Sequence, residues 1–300
     1  MGMTLGIIGY GEVGGIFGRG LLPQGDIDAI WVWDLNFDSA STGQAARAAA
    51  QADGMRVAAN VAELCAQADL LISAVTASNT LAVAEAAAPH ARRGACFLDL
   101  NSASPGTKQR AAAALEAVGV HYIEAGVMTS VPPYGIRVPI LLGGATAESL
   151  AVTLQAWGMD ARRVSDQLGV ASAIKMSRSI MIKGLEALVI ESYTTARRYG
   201  VEAHVLPTLK ETFPQIDWEQ QGAYFFSRVV QHGKRRAEEM REAARTVQEA
   251  GFEPLMTAAI ASKHDWVAQQ ARDGVFQGVD DRSPWQAYAD RLIAQSQNDV

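Results

Sequence analysis

The chain has 300 residues, and 49% of them are hydrophobic, which is enough to bury a sizeable core and predicts two domains. Its formal net charge of −6 gives no electrostatic reason to expect nucleic acid or an anionic membrane surface as a partner. No apolar run reaches the roughly 18 residues that a membrane helix needs.

The N-terminal sequence, the cysteines and the histidines bear on the protein's location and on metal binding. The chain opens directly into an apolar strand with no room for a secretion signal, so we expect a cytoplasmic protein. Cys65 and Cys96 both lie in apolar surroundings and are interpreted as buried thiols. The five histidines form no close ligand pair, so we predict no metal.

The first predicted elements are a strand, a glycine-rich turn and a helix. The apolar run 4–8 leads into the turn Gly9-Tyr10-Gly11-Glu12-Val13-Gly14, and a second apolar run, 27–33, ends at Asp34. In this pattern the first glycine allows a tight turn, the second leaves backbone open to a pyrophosphate, and the third lets the helix approach the strand. All six turn residues and Asp34 are therefore predicted to bind a dinucleotide, with its pyrophosphate at the helix N-terminus.

Asp34 favours NAD over NADP. Its carboxylate can accept hydrogen bonds from the adenosine ribose hydroxyls and would repel a 2′-phosphate. The residues that follow, Leu35, Asn36 and Phe37, include no arginine to bind that phosphate. Arg47 or another distant basic residue remains an alternative partner for it, so NADP stays possible.

Further apolar runs alternate with alanine-rich helical stretches at 56–58, 69–75, 95–100, 121–125 and 138–142. This alternation predicts an α/β Rossmann domain over residues 1–166, a doubly wound parallel sheet with helices on both faces. Ligands of such sheets bind beyond the carboxyl ends of the strands. The candidates that follow strands are Val75, Thr76, Ala77 and Asn101 for the cofactor, and Ser102, Gly126, Val127, Met128 and Thr129 for the substrate.

Residues 167–300 are predicted to form an all-α domain for substrate binding and dimerisation. A long interdomain helix is expected over 169–198 and a charged amphipathic helix over 227–250, with Pro207, Pro214, Pro254 and Pro284 as helix breaks. The run 232–239 is typical of a solvated surface, or, alternatively, of a basic helix that completes the site of a partner subunit.

Four segments in order resemble the β-hydroxyacid dehydrogenase and 6-phosphogluconate dehydrogenase superfamily. They are the glycine-rich turn, residues 99–105 (similar to D-x-S-T-x-x-P), residues 124–127 (similar to E-A-P-V) and residues 169–179 (similar to G-x-x-x-x-x-K-x-x-x-N). Residues 131–135 and 232–236 resemble the branch whose C-terminal helical domain has no known function.

The resemblance implies that Lys175 is the general acid/base, and desolvation in an apolar helix would favour its neutral form. It also places Ser179, one helical turn later, near the substrate, where the family usually has asparagine. Arg178 is an alternative anchor for a carboxylate. The usual Ser-Gly-Gly after Val127 is replaced by Met128-Thr129-Ser130, which indicates a less polar pocket.

These features predict an NAD(P)-dependent oxidoreductase that transfers hydride between nicotinamide and the hydroxyl-bearing carbon of a small hydroxy acid or related alcohol. An imine or ketone reductase and a non-catalytic NAD-binding protein are the alternatives. A homodimer through the helical domain is expected, because the run 224–230 is apolar on more than one side of its helix.

Overall fold

The computed structural model describes residues 2–298, in two compact units that divide between Met176 and Ser177. The strands are β1 (Met3–Ile8), β2 (Ile27–Trp33), β3 (Arg56–Val57), β4 (Leu70–Ser73), β5 (Cys96–Asp99), β6 (His121–Val127), β7 (Ile140–Gly143) and β8 (Ala161–Ser165). The helices are α1 (Glu12–Leu21), α2 (Gly43–Ala52), α3 (Val61–Gln67), α4 (Thr80–Ala87), α5 (Pro105–Glu116), α6 (Ala147–Ala156), α7 (Val170–Tyr199), α8 (Glu202–Thr212), α9 (Trp218–Glu249), α10 (Leu255–Arg272) and α11 (Trp285–Asn298).

The first unit is built on one eight-stranded sheet with the order β3-β2-β1-β4-β5-β6-β7-β8. Inward strand residues such as Leu5, Ile72 and Leu98 are fully buried, because helices cover the sheet. The predicted α/β Rossmann class with an all-α C-terminal region is confirmed. The division between the units falls inside α7, whereas the predicted boundary at residues 166 and 167 lies between β8 and α7 and stays a prediction.

Two details of the predicted sheet are wrong. The pair β6–β7 is antiparallel, because the connection 128–139 contains only a short 3-10 turn, Gly135–Arg137, and no crossover helix. The strand β8 was not predicted, since Arg162, Arg163 and Val164 are exposed at the sheet edge and leave no apolar run to read.

The second unit consists of helices. Tyr193 of α7, Phe226 of α9, and Trp285 and Tyr288 of α11 are almost wholly buried in its core. Helices α9 and α10 approach closely at Gly233, where a Cβ would lie 2.8 Å from the carbonyl oxygen of His264. No helix among residues 2–298 has the length and apolar character needed to cross a membrane.

Three of the four predicted proline breaks separate helices in the structure. Pro214 lies between α8 and α9, Pro254 caps α10, and Pro284 directly precedes α11. The fourth prediction is wrong, because Pro207 lies inside α8. That exposed position in a short helix gives up a backbone hydrogen bond without ending the helix.

Candidate active site

The glycine-rich turn has the geometry that its sequence predicts. Gly9 has a φ of +92°, and a Cβ there would lie 2.6 Å from the carbonyl oxygen of Ala74. A Cβ on Gly14 would lie 2.0 Å from the carbonyl oxygen of Gly9, so only glycine lets α1 start this close to β1. Gly11 faces open space, because no atom beyond Gly11 and its two chain neighbours lies within 4 Å of the point that a Cβ would occupy.

Asp34 at the end of β2 is tied to this turn. Its Oδ2 accepts a hydrogen bond from the backbone nitrogen of Tyr10 at 2.7 Å, and its Oδ1 accepts one from Asn36 at 2.8 Å. The side chain of Tyr10 donates to Asp53 at 2.9 Å, and burial followed by this hydrogen bond raises the pKa of the phenol. The backbone of Tyr10 therefore links the turn to Asp34, while its ring packs against Phe37.

Arg47, the alternative partner for a 2′-phosphate, is already engaged. Its guanidinium donates to the carbonyl oxygens of Phe37 at 3.1 Å and Ala58 at 3.4 Å, and it pairs with Asp38 at 2.9 Å. It also lies over the Phe37 ring, 5.4 Å from the centroid. A 2′-phosphate would have to compete with these contacts.

Asn101 joins the ends of β4 and β5. Its Oδ1 accepts from the backbone nitrogen of Val75 at 2.7 Å, and its Nδ2 donates to Ser73 Oγ at 2.9 Å. Its own backbone nitrogen donates to Asp99 Oδ1 at 2.9 Å. The predicted cofactor segment Val75, Thr76 and Ala77 therefore begins at a position that the Asn101 side chain fixes.

Asp99, Lys108 and Tyr122 form a buried ionic triad next to Asn101. Sequence reasoning did not find it. Lys108 Nζ lies 2.9 Å from both Asp99 Oδ1 and the Asp99 carbonyl oxygen, and the two side chains are essentially inaccessible to solvent. The Tyr122 hydroxyl donates to the other oxygen of Asp99, and burial, then the charge of Asp99, raises the pKa of this phenol. The triad thus holds the end of β5.

Ser102 and Ser104 have different surroundings. Ser104 caps α5 by accepting from the backbone nitrogen of Thr107 at 3.3 Å, and Pro105 occupies the first turn. Ser102 is half-buried just beyond the end of β5. Its predicted contact with substrate stays a prediction.

The start of α7 is held by Glu124 of β6. This fully buried carboxylate accepts hydrogen bonds from the backbone nitrogens of Gly169 and Ala171 at 2.8 and 3.0 Å. Ser172 adds its hydroxyl at 2.6 Å. Two residues along β6, a Cβ on Gly126 would lie 3.4 Å from the Cβ of Lys175, so the stem of the predicted catalytic lysine lies over Gly126.

The loop that replaces Ser-Gly-Gly follows directly. Val127 is the last residue of β6, and the backbone nitrogen of Met128 donates to the Pro139 carbonyl oxygen at 2.9 Å. Met128 is half-buried, whereas Thr129 is exposed. The structure thus brings Gly126 against Lys175, and Val127 and Met128 follow Gly126 in the chain at the end of β6.

Arg178 and Ser179 belong to the second unit. Arg178 is exposed, whereas Ser179 is buried and its hydroxyl lies 3.3 Å from Lys183 Nζ, which donates to it. A substrate oxygen would have to share that hydroxyl with Lys183. The substrate-binding roles of both residues stay predictions.

The helical unit also contains a buried charge cluster that sequence reasoning missed. Lys183 pairs with Glu239 at 2.9 Å, and Arg236 forms a two-pronged ion pair with Glu186. His264 Nε2 lies 3.8 Å from Glu186 Oε2. The expectation of a solvated surface over 232–239 is wrong for Arg236, which is buried because α7 supplies its partner. The sequence signal for this cluster is the presence of Lys183 and Glu186 among the apolar positions of α7.

The residues at the turn fit a dinucleotide. Gly11 is the N-cap residue of α1 and makes no side-chain cap hydrogen bond, and the N–H groups of a helix start favour an anion. The open space at Gly11 leaves room for phosphate oxygens. Over the part of the chain that the structure describes, no group of His, Cys, Asp and Glu could hold a metal ion.

Two family models match the chain. Residues 4–156 match the NAD binding domain of 6-phosphogluconate dehydrogenase, and residues 196–267 match a domain of unknown function, DUF1932. These matches confirm the resemblance inferred from the sequence motifs, including the branch with an uncharacterised helical domain.

Three solved structures illustrate the likeness. A conserved hypothetical protein from Sinorhizobium meliloti is 37% identical, with a TM-score of 0.76 over 97% of this chain and 96% of that chain. The conserved protein MTH1747, of unknown function and structurally similar to 3-hydroxyacid dehydrogenases, is 28% identical with a TM-score of 0.68 over 90% and 98%. Mycobacterium tuberculosis 3-hydroxyisobutyrate dehydrogenase with L-serine shares the fold, at 16% identity and a TM-score of 0.69 over 91% and 95%.

Proposed function

The chain belongs to the family of the NAD binding domain of 6-phosphogluconate dehydrogenase, and from that premise we propose that it is an NAD(P)-dependent dehydrogenase of small hydroxy acids or related alcohols. One observation carries the proposal. The stem of Lys175 lies over Gly126, at the end of β6, in the same unit as a complete dinucleotide-binding turn. A titratable amine and a cofactor turn at the carboxyl edge of one sheet are the parts that hydride transfer needs.

The cofactor would be held by the Gly9–Gly14 turn, with Asp34 at the ribose and the Val75–Ala77 segment and Asn101 beside it. When bound, a nicotinamide dinucleotide supplies the acceptor or donor of a hydride. NAD is favoured, because Asp34 supplies negative charge at the ribose end and Arg47 is already occupied by Phe37, Ala58 and Asp38.

Lys175 is proposed to accept the proton of the substrate hydroxyl at its neutral Nζ, and to return it in the reverse direction. Lys175 is half-buried near the start of α7. Ser102 and Thr129 are the proposed donors to the substrate, and Arg178 is the proposed anchor of a carboxylate. Met128 donates no hydrogen bond and limits the polarity of the pocket.

The test is oxidation of a panel of small hydroxy acids, including 3-hydroxyisobutyrate and serine, with NAD and with NADP. Lys175→Met is expected to lower kcat by about 10²- to 10⁴-fold, the usual contribution of a general acid/base. Lys210→Met is the matched control, since Lys210 is exposed on α8. A Lys175→Met enzyme with the wild-type kcat would remove the proposed base.

The half-buried Met128 supports a second candidate, an imine or ketone reductase, because an apolar wall suits an uncharged substrate better than a carboxylate. Reduction of cyclic imines and ketones with NADH and NADPH tests it, and no turnover of any of them would reject it. NAD binding without turnover of any substrate would instead favour a non-catalytic NAD-binding protein.

A cytoplasmic homodimer through the helical unit is also proposed. Phe225, Phe226 and Val229 are buried in that unit's own core and need no partner, whereas Met181 and Leu188 of α7 remain exposed by 66% and 55%. These two residues are seven apart, so they lie on one side of the helix. Light scattering that gives the mass of a single chain would contradict the dimer.

A further inference from the structure

Glu124 is a carboxylate buried at the N-terminus of a helix. It is fully inaccessible, and it receives hydrogen bonds from the backbone nitrogens of Gly169, Ala171 and Ser172 at 2.8, 3.0 and 3.4 Å. The Ser172 hydroxyl donates a fourth at 2.6 Å. The first N–H groups of a helix have no partner within the helix, and the helix dipole favours a negative charge there. Glu124 therefore provides the hydrogen-bond acceptor for the backbone N–H groups of Gly169, Ala171 and Ser172 at the start of α7.

The carboxylate has little freedom to move. A Cβ built on Gly143 of the neighbouring strand β7 would lie 2.5 Å from Glu124 Oε1 and 3.0 Å from its Cγ. The glycine thus leaves just enough room for the Glu124 side chain. On the other side, Gly169 has a φ of +102°, which fits the chain into the bend before α7.

The same strand also supports the turn of α7 that carries Lys175. Residues 124 and 126 are two apart on β6 and so face the same side of the sheet. A Cβ on Gly126 would lie 3.0 Å from the carbonyl oxygen of Ala171 and 3.4 Å from the Cβ of Lys175. Consequently one face of β6 bonds to the first turn of α7 through Glu124 and packs closely against Ala171 and Lys175 at Gly126.

We propose that Glu124 is a positioning residue of the active site, because its carboxylate fixes the first turn of α7 on β6 and thereby fixes Lys175 over Gly126. The inference rests on the proposed function, in which Lys175 is the general acid/base. Glu124 acts through α7 and its hydrogen bonds are all used there. A shift of about 1 Å in a catalytic group costs a rate factor of about 10².

The variants form a graded series. Glu124→Gln keeps the length of the side chain and loses its charge, Glu124→Asp keeps the charge and loses reach, and Ser172→Ala removes one hydrogen bond. Asn60→Ala is the matched control, because Asn60 caps α3 of the same unit through the backbone nitrogen of Glu63 at 2.9 Å. It should lower the melting temperature without changing the site.

The first measurement needs no substrate. The full chain is treated with an acetylating N-hydroxysuccinimide ester with and without NADH, and mass spectrometry gives the rate of Lys175 acetylation relative to exposed Lys210. We expect this ratio to change severalfold in Glu124→Gln, less in Ser172→Ala and not at all in Asn60→Ala. Wild-type ratios in both Glu124 variants and in Ser172→Ala would overturn the proposal.

The second measurement is kinetic, with 3-hydroxyisobutyrate and serine as probes. Glu124→Gln is expected to lower kcat about 10- to 100-fold with an unchanged affinity for NADH, and Glu124→Asp is expected to recover part of the loss because charged hydrogen bonds are stronger. Equal losses of kcat and NADH affinity would indicate a general structural role and overturn the proposal. A fully active Lys175→Met enzyme combined with altered acetylation in Glu124→Gln would reject the proposed function and leave the positioning intact. If Glu124→Gln does not fold, Ser172→Ala and Glu124→Asp decide the outcome.

Discussion

The two units bury charge in different ways. In the sheet unit, Glu124 accepts most of its hydrogen bonds from backbone nitrogens at the start of α7. Asp99 accepts one from the backbone nitrogen of Asn101, beside those from the side chains of Lys108 and Tyr122. In the helical unit, Glu186 bonds instead to the side chain of Arg236, fifty residues away on another helix. A carboxylate bonded to backbone nitrogens fixes the path of the chain beside a strand end, whereas a side-chain ion pair joins one helix to another. The first kind should affect binding, and the second should affect only stability.

Among the variants that test this difference between the units, Asp99→Asn is expected to have the largest effect. The variant leaves the buried ammonium of Lys108 without its counterion and weakens the bond to the backbone nitrogen of Asn101. We expect a loss of about 5 kcal/mol in the free energy of unfolding, at the upper end of the range for buried pairs. The affinity for NADH should also fall, since Asn101 holds Val75.

Urea titration and fluorescence titration with NADH measure the two effects of Asp99→Asn. Arg92→Ala serves as the control, because it breaks the exposed Arg92–Asp69 ion pair in the same unit. A folded Asp99→Asn protein with wild-type NADH affinity would show that the triad does not shape the cofactor site.

Arg236→Met tests the helical unit. The carboxylate of Glu186 would stay buried without its partner, which should cost about 3 kcal/mol in the free energy of unfolding. The double variant Arg236→Met with Glu186→Leu should recover most of that loss, since it leaves no unpaired charge. NADH affinity is expected to stay unchanged in both proteins. A decrease in NADH affinity would contradict the separation of roles between the two units.

The same contrast explains what the sequence could predict. The glycine-rich turn and the strand ending at Asp34 depend on local backbone geometry, so nearby residues are enough to identify them. The antiparallel direction of β7 was missed because the run 138–142 was included in the alternation of strands and helical stretches, whereas the connection before it contains only a short 3-10 turn. The cofactor fold was therefore accessible, and its family match confirms it.

The buried charges were inaccessible for a different reason. Glu124 meets its partners 45 to 48 residues further along the chain, and Arg236 meets Glu186 at a separation of 50. No periodicity connects such distant positions. A charged residue on an otherwise apolar helix face, such as Glu186 of α7, signals only that some partner exists. The partner becomes known when the helices pack.

His264 predicts a pH dependence that belongs to the helical unit alone. Burial, then the positive charges of Arg236 and Lys183, lowers its pKa from 6.5 to about 3, while Glu239 acts in the opposite direction. Both oxygens of the nearby Glu186 are already bonded to Arg236, so burial prevails. Below pH 6.5 His264 is protonated in the unfolded chain but stays neutral in the folded chain. The free energy of unfolding therefore decreases as the pH falls from 6.5 towards 3. The loss between pH 7 and pH 5 should be about 2 kcal/mol.

His264→Leu should remove this dependence, and the difference from the wild type is measured by urea titration at pH 7 and pH 5. His90→Asn is the control, since His90 is exposed in the sheet unit. A His264→Leu protein that loses as much stability as the wild type between these pH values would assign the effect to other groups.

The smallest effect is expected for a second ion pair of α9, which is more exposed than the pair of Arg236 and Glu186. Arg241 of α9 pairs with Asp265 of α10, but their side chains are exposed by 53% and 40%, whereas the side chain of Arg236 is exposed by 11%. Arg241→Met is therefore the same substitution in the same helix, at a pair that is far more exposed than the two-pronged Arg236–Glu186 pair. Water screens the exposed charges, and the free energy of unfolding should change by about 0.5 kcal/mol or less. Repeating the urea titration in 1 M NaCl should remove even that difference, because ions screen exposed pairs over about 3 Å at that concentration. If Arg241→Met costs as much as Arg236→Met, burial is not what gives the ion pairs of this unit their strength.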